Sequence, residues 1–123
     1  MKIKKFLSSG QIEIWVGQDD YSNDQLSIKL AHANDVWFHV SGMPGSHVLL
    51  RSGEAEIEPD KTSIQEAAAL AAWYSKMRKG GKVAVHYCLA RYVKKPRGAK
   101  PGTVTIQREK KISVRPELRD EIE

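Results

Sequence analysis

His39 and His47 are the residues of this chain best suited to chemistry near neutral pH, because imidazole titrates there. They lie in DVWFHVSGMPGSHVLLR, residues 35–51. A metal would need a third ligand, and His32, His86 and Asp35 stand at no recognised ligand spacing, so no metal or other cofactor is expected. Acid/base phosphodiester chemistry would use both imidazoles, and His39-Val40-Ser41 is one H-x-S motif of the two that two-histidine phosphoesterases carry. The second copy is missing, since His47 is followed by Val48-Leu49, and no activated nucleophile or oxyanion arrangement is visible. A third chemistry is recognition: Trp37 as a stacking plane, His39 and His47 as hydrogen-bond donors and Arg51 meeting phosphate, as in readers of single-stranded RNA. The plainest alternative is that the histidines satisfy buried backbone groups beside the core.

A second cluster is YVKKPRGAKPG, residues 92–102. With Arg91 in front it gathers Lys94, Lys95, Arg97 and Lys100 and contains no acid. Pro96 and Pro101 fix backbone angles while Gly98 and Gly102 permit sharp bends, so the segment reads as a semi-rigid exposed loop. Restraint lowers the entropy lost on binding. Tyr92 among the cations adds the aromatic surface that base stacking requires, and Arg78, Lys79 and Lys82 extend the charge. A lysine-rich stretch is also commonly a solvated surface. The loop is no P-loop, because GxxxxGK[ST] is absent.

The elements that must hold these clusters follow from periodicity. Ile3–Leu7 and Gln11–Val16 read as a hairpin joined by Ser8-Ser9-Gly10. Ser22 and Gln25 form a capping box for a short helix with Leu26, Ile28 and Leu30. Asp35–Val40 and Ser46–Arg51 flank the turn residues Gly42-Met43-Pro44-Gly45 and form a second hairpin. If its turn centres on Met43, His39 opposes His47, Trp37 opposes Leu49 and Asp35 opposes Arg51, leaving Val36, Phe38, Val40, Val48 and Leu50 as the core face. A long helix is expected from about Ser63 to Lys79, capped by Thr62 and Gln65 and stopped by Gly80-Gly81, with an alanine-rich face slim enough to lie close to a sheet. Strands at Val83–Val93, Thr103–Gln107 and Lys111–Arg115 would complete the sheet, and residues from Pro116 to 123 form a last turn or frayed tail. The fold class is α+β: a mostly antiparallel sheet with one long and one short helix packed on one face.

The 123 residues, 41% hydrophobic and 28% charged, suit a single domain, 1–123, with its core at about 10–115. The formal charge of +5 and a pI of about 9.4 make a polyanion a natural partner. The acids Glu54, Glu56, Glu58, Asp60 and Glu66 gather apart from the cations that follow residue 76. Cys88 is the only cysteine, which excludes an intrachain disulfide and a Cys-rich zinc module. MKIKKFLSSG lacks the apolar run of a secretory signal and no stretch reaches spanning length, so a cytoplasmic location without membrane contact is expected.

Several separated motifs resemble the NFACT-R domain, proposed to bind RNA: Gly17 with Asn23-Asp24, DVWFHVSGMPGSHVLLR, AAALAAWYSKMR and YVKKPRGAKPGTV. The resemblance spans about residues 10–115. It implies kinship with a domain of the large ribosome quality-control proteins of the RqcH and nuclear export mediator factor group, here in a stand-alone version. It also implies an RNA-facing role for His39, Ser46, His47, Lys94, Lys95, Arg97 and Lys100. Val16-Gly17-Gln18-Asp19 replaces the family's G-R-N type turn and puts an anion at Asp19.

The reading is a non-enzymatic RNA-binding module for rRNA or tRNA, with the large ribosomal subunit as a candidate partner and a translation or quality-control setting. Trp37, His39, Ser46, His47, Arg51, Tyr92, Lys94, Lys95, Arg97 and Lys100 form the expected site. The alternatives are a small phosphodiesterase or RNA-processing enzyme using His39 and His47, and a protein-interaction adaptor or DNA binder.

Overall fold

The computed structural model describes residues 1–122, so position 123 of the expected tail lies outside the described residues. The chain opens with a hairpin of β1 (Ile3–Leu7) and β2 (Glu13–Gly17). β2 starts later than expected because Gln11 takes a left-handed turn conformation, φ 66°. Helix α1 (Asp20–Asp24) runs into a π-helical stretch, Gln25–Leu30. Its cap is Asp19 rather than Ser22: the Asp19 carboxylate accepts the Ser22 N–H at 2.7 Å.

β3 (Val36–Val40) and β4 (Val48–Leu50) pair as Val36 with Leu50, Trp37 with Leu49 and Phe38 with Val48, the register that a turn on Met43 dictates. Helix α2 (Lys61–Trp73) is capped by Asp60, which accepts from the Ser63 N–H at 2.9 Å; Thr62 already lies inside the helix. It also ends earlier than the helix-favouring residues up to Lys79 suggest. The Tyr74 carbonyl accepts the Ser46 N–H at 3.1 Å and Ser75 bridges to Gly45, so the β3–β4 turn takes the backbone groups that further helix would need.

β5 (Val83–Leu89) stops short of Val93. Ala90 and Arg91 donate their N–H groups to the carbonyls of Asp35 and Ala33, which turns the chain through a 3-10 turn at Ala90–Tyr92. Beyond it, β6 (Val93–Lys94) and β7 (Thr105–Ile106) form a separate two-stranded ribbon, and β8 (Lys110–Val114) returns to the main sheet. That sheet has the order β1-β2-β4-β3-β5-β8, with every neighbouring pair antiparallel.

The fold is α+β with a predominantly antiparallel sheet, and its two helical segments take opposite faces rather than sharing one. α2 lies over Val36, Phe38, Val40, Val48 and Leu50, where Ala67, Ala68, Ala71 and Ala72 let its backbone approach the sheet. The π-helical stretch covers the other face through Leu26, which packs with Trp37, Leu49, Cys88, Ala90 and Val93. Alternation along β3 explains this: Trp37 and Leu49 are too apolar to be left open, so a second, smaller core needs its own cover.

The tail is neither helical nor frayed in residues 116–122. Glu117 N–H bonds the Ala69 carbonyl, Arg119 reaches Glu66 and the Leu7 carbonyl, and Ile122 N–H bonds the Lys5 carbonyl on the outer edge of β1. At the far end of the β3–β4 hairpin, buried Asp35 accepts the N–H groups of His32, Gly53 and Glu54 at 2.9, 3.0 and 3.1 Å. It also pairs with Arg51 at 3.0 Å, an electrostatic contact rather than a well-aligned hydrogen bond.

Removing one partner of a buried pair strands the other charge and, here, three amides as well. Asp35→Ala is therefore expected to cost about 3–5 kcal/mol in urea unfolding. A cost near zero would mean that this junction does not hold the hairpin.

Candidate nucleic-acid interface

The two histidines and the basic loop meet in one open groove of about 900 Å³. His39 and His47 line it together with Met43, Pro44 and Gly45 of the β3–β4 turn, Asp19 to Tyr21 and Asn23 of the α1 region, and Lys100 to Thr103 of the loop.

A short relay places His47. Trp37 Nε1–H donates to Ser27 Oγ at 2.8 Å, and Ser27 Oγ lies 2.7 Å from His47 Nδ1. Ser27 Oγ, which accepts from Trp37 and still has its own proton and a second lone pair, thereby ties the His47 ring to Trp37. The His47 backbone N–H is held by Asn23 Oδ1 at 3.0 Å. Asn23 in turn fits only because residue 17 is glycine: a Cβ there would stand 2.2 Å from Asn23 Oδ1. The His39 ring meets His47 edge-on at 5.4 Å between centroids and lies near-parallel to Trp37 at 6.0 Å.

Burial, then the neighbouring His39, pushes the His47 pKa down to about 4. Burial also lowers that of His39, with His86 adding a smaller push and the Gly45 and Val40 backbone opposing it. Both rings are uncharged at neutral pH and act as hydrogen-bonding and packing groups. Among the described residues no group of three or more His, Cys, Asp or Glu is placed to hold a metal ion.

The loop hangs from Asp24. Its carboxylate accepts the Gly102 N–H at 2.8 Å and pairs with Lys95 Nζ at 3.1 Å, while Lys95 also donates to the Lys100 carbonyl at 2.7 Å. Gly98 and Gly102 adopt φ of 77° and 85° where the chain doubles back. Lys94, Arg97 and Lys100 are exposed and enter no ion pair among the described residues.

The structure thus gives some of the expected residues other work. Trp37 is 2% exposed and offers no face for a base; it supports His39 and orients His47 through Ser27. Arg51, 7% exposed, is bound to Asp35 and lies over the Trp15 ring at 4.1 Å, about 13 Å along β4 from His47. Lys95 holds the loop's shape instead of presenting free charge. Half-buried Tyr92 has Arg108 over its ring at 5.5 Å, and Ser46 lines a neighbouring depression with Lys76 and Arg78 across Pro44-Gly45.

Sequence reasoning overlooked Ser27 and gave no task to Asp24. Nothing in the local pattern distinguishes Ser27 from any helical serine. An acid facing a segment of unrelieved cations is a signal for Asp24, although only the fold brings them together.

A cationic loop thus stands beside a groove whose histidines are uncharged and whose mouth carries Asp19 and Asp20. The chain belongs to the NFACT protein RNA binding domain family, whose model matches residues 2–108. It is 39% identical over 115 residues to the Rqc2 homolog RqcH of Bacillus subtilis (strain 168), and 36% identical over 116 residues to that of Streptococcus suis (strain 05ZYH33). Each match takes in 94% of this chain but 20% of the relative, so the chain spans about a fifth of the length of these proteins. The solved C-terminal part of the fibronectin/fibrinogen-binding protein from Streptococcus suis superposes with a TM-score of 0.88 at 35% identity, covering 95% of this chain and 46% of that one.

The buried histidine makes stability depend on pH. A folded pKa of about 4 against an ordinary 6.5 means that the unfolded state binds more protons between those values, so stability is full above about pH 6.5 and falls as the pH drops toward 4. Between pH 7.5 and 5.0 His47 is expected to account for about 2 kcal/mol of lost stability. Urea unfolding of His47→Gln should show a correspondingly flatter pH dependence; equal slopes in both proteins would show that His47 is not held neutral.

Proposed function

We propose that this domain is a non-enzymatic RNA-binding module that works in the cytoplasm on rRNA or tRNA, in a translation or ribosome quality-control setting. The observation that carries the reading is the juxtaposition in one groove of unpaired Lys100 with the neutral His39–His47 floor. Lys100 at the groove, and Lys94 and Arg97 elsewhere on the loop, neutralise phosphates; none of the three is ion-paired among the described residues. Within the groove, Asp19 and Asp20 disfavour a phosphate, so a base or sugar occupies it and meets the His47 and His39 rings. Phosphate contacts then position the strand and groove contacts select. The family's description as an RNA binding domain supports the polyanion being RNA.

The geometry argues against a phosphodiesterase built on the same histidines. The rings touch edge-on and leave no gap for a phosphodiester between them, and an imidazole kept neutral well below pH 7 is a poor general acid. A protein-interaction adaptor is the second reading, favoured by the name of the Streptococcus suis structure, a fibronectin/fibrinogen-binding protein. Its surface would include the exposed acidic stretch around Glu54, Glu56 and Glu58, away from the cations. Complexes recovered from cells should dissolve on nuclease treatment under the RNA reading and survive it under the adaptor reading.

Titration of labelled single-stranded RNA at several salt concentrations tests the loop directly. Lys94→Ala/Arg97→Ala/Lys100→Ala is expected to weaken binding roughly 10- to 100-fold and to reduce the salt slope by about 2, since each phosphate contact on a single strand contributes about 0.7. Lys95→Ala should weaken binding with little change in slope, because its ammonium organises the loop. An unaltered triple variant would remove the loop from the interface. A parallel titration with single-stranded DNA decides whether the 2′-hydroxyl matters.

A further inference from the structure

The groove does not end at His39. Backbone pairing places His39 opposite His86 on β5, and His86 opposite Lys111 on β8. Directly opposed residues in an antiparallel sheet project to the same side, so one row of side chains crosses the sheet in the order His47, His39, His86, Lys111. The row covers three strand spacings of about 4.8 Å, roughly 14 Å in all. Exposure rises along it, from buried His47 through half-buried His39 and His86 to exposed Lys111.

The surroundings of the row are uneven. On one flank the face is closed by Cys88, which packs with Trp37 and Leu26, and exposed Glu109 stands near it. On the other flank come Ala84 and Ser113, paired with each other, small and without charge. Helix α2 is on the far side of the sheet and the π-helical stretch stops at the Trp37–Leu49–Cys88 patch, so neither covers this corner. The product is a shallow shelf with its acid, Glu109, at the Cys88 end: an imidazole plane at His86, a floor of small residues and an ammonium at its outer edge.

We propose that this shelf, His86 and Lys111 with Ala84 and Ser113, is a second subsite for the same single-stranded RNA, taking the nucleotides that follow the one in the groove. The inference rests on the RNA-binding reading above. A base lies against the His86 ring over Ala84, where a larger side chain would lift it, and Lys111 takes the adjoining phosphate. An extended strand fits better than a duplex, because the row leads out of a concave groove onto a flat face, and a rigid helix cannot follow both.

The test compares two RNAs on the same protein, one of about four nucleotides and one of about twelve, within the range that a small single-strand-binding surface covers. Wild-type protein is expected to bind the longer RNA at least 10-fold more tightly. His86→Ala and Lys111→Ala should each weaken the longer RNA about 3- to 10-fold and leave the shorter one unchanged, and Lys111→Ala should also lower the salt slope by about 0.7. Addition of the longer RNA should shift the His86 imidazole signals in NMR, and the shorter one should leave them in place. Lys111 is exposed and His86 half-buried, and thermal melts of both variants report whether the fold is intact. Equal binding of both RNAs by the wild type, or unchanged binding of the longer RNA by both variants, overturns the subsite. Binding of neither RNA overturns the underlying RNA reading instead.

Discussion

The Asp24 carboxylate joins two segments that are 78 positions apart in the chain, and the groove exists because of it. One oxygen holds the Gly102 amide and the other holds the Lys95 ammonium, so the return limb of the basic loop is pinned against the end of α1. A hydrogen bond to a charged group contributes about 1.5–3 kcal/mol, enough to select one loop geometry from the many that a Pro/Gly segment can sample. One of the loop's cations is used internally. The remaining three then face solvent from a fixed frame, and their charge is presented with little further loss of entropy on binding.

The floor follows a different electrostatic logic from the rim. Burial keeps both histidines uncharged, and the Trp37–Ser27–His47 relay fixes the orientation of the His47 ring. A neutral donor discriminates by hydrogen-bond geometry, whereas an ammonium responds to any phosphate. Under the proposed RNA-binding role, affinity and selection would fall to separate parts of one surface. In that role the two acids at the mouth of α1 would sharpen the division, because they make the centre of the groove unfavourable for phosphates.

Much of this was legible in the sequence where one physical rule dominated. The β3–β4 register followed from the turn residues and from the clean alternation of Val36, Phe38 and Val40 with Trp37 and His39, and it correctly brought His39 beside His47 and Asp35 beside Arg51. The α+β class and the antiparallel pairing followed from the same periodicities. What failed were inferences about exposure and partners. The polar look of its strand face suggests an open plane at Trp37, yet Leu26, in a segment whose apolar spacing is irregular, packs over it. Lys95 and Arg51 looked free because their acids, Asp24 and Asp35, come from other elements. The end of α2 was missed for a related reason: local propensity favours helix through Lys79, and the competing demand comes from Gly45 and Ser46 on another strand.

The path of residues 117–122 bears on how the molecule behaves among its own kind. A six-stranded sheet has two flanks on which a foreign strand could zip, and here they are dissimilar. The β1 flank is occupied by the chain's own Glu121 and Ile122, which take up the Phe6 and Lys5 backbone. The β8 flank is unpaired among the described residues but carries Lys110 and Lys111, whose mutual repulsion between copies discourages stacking. A concentrated solution of this domain is therefore guarded against fibril-like growth by occlusion on one border and by like charge on the other.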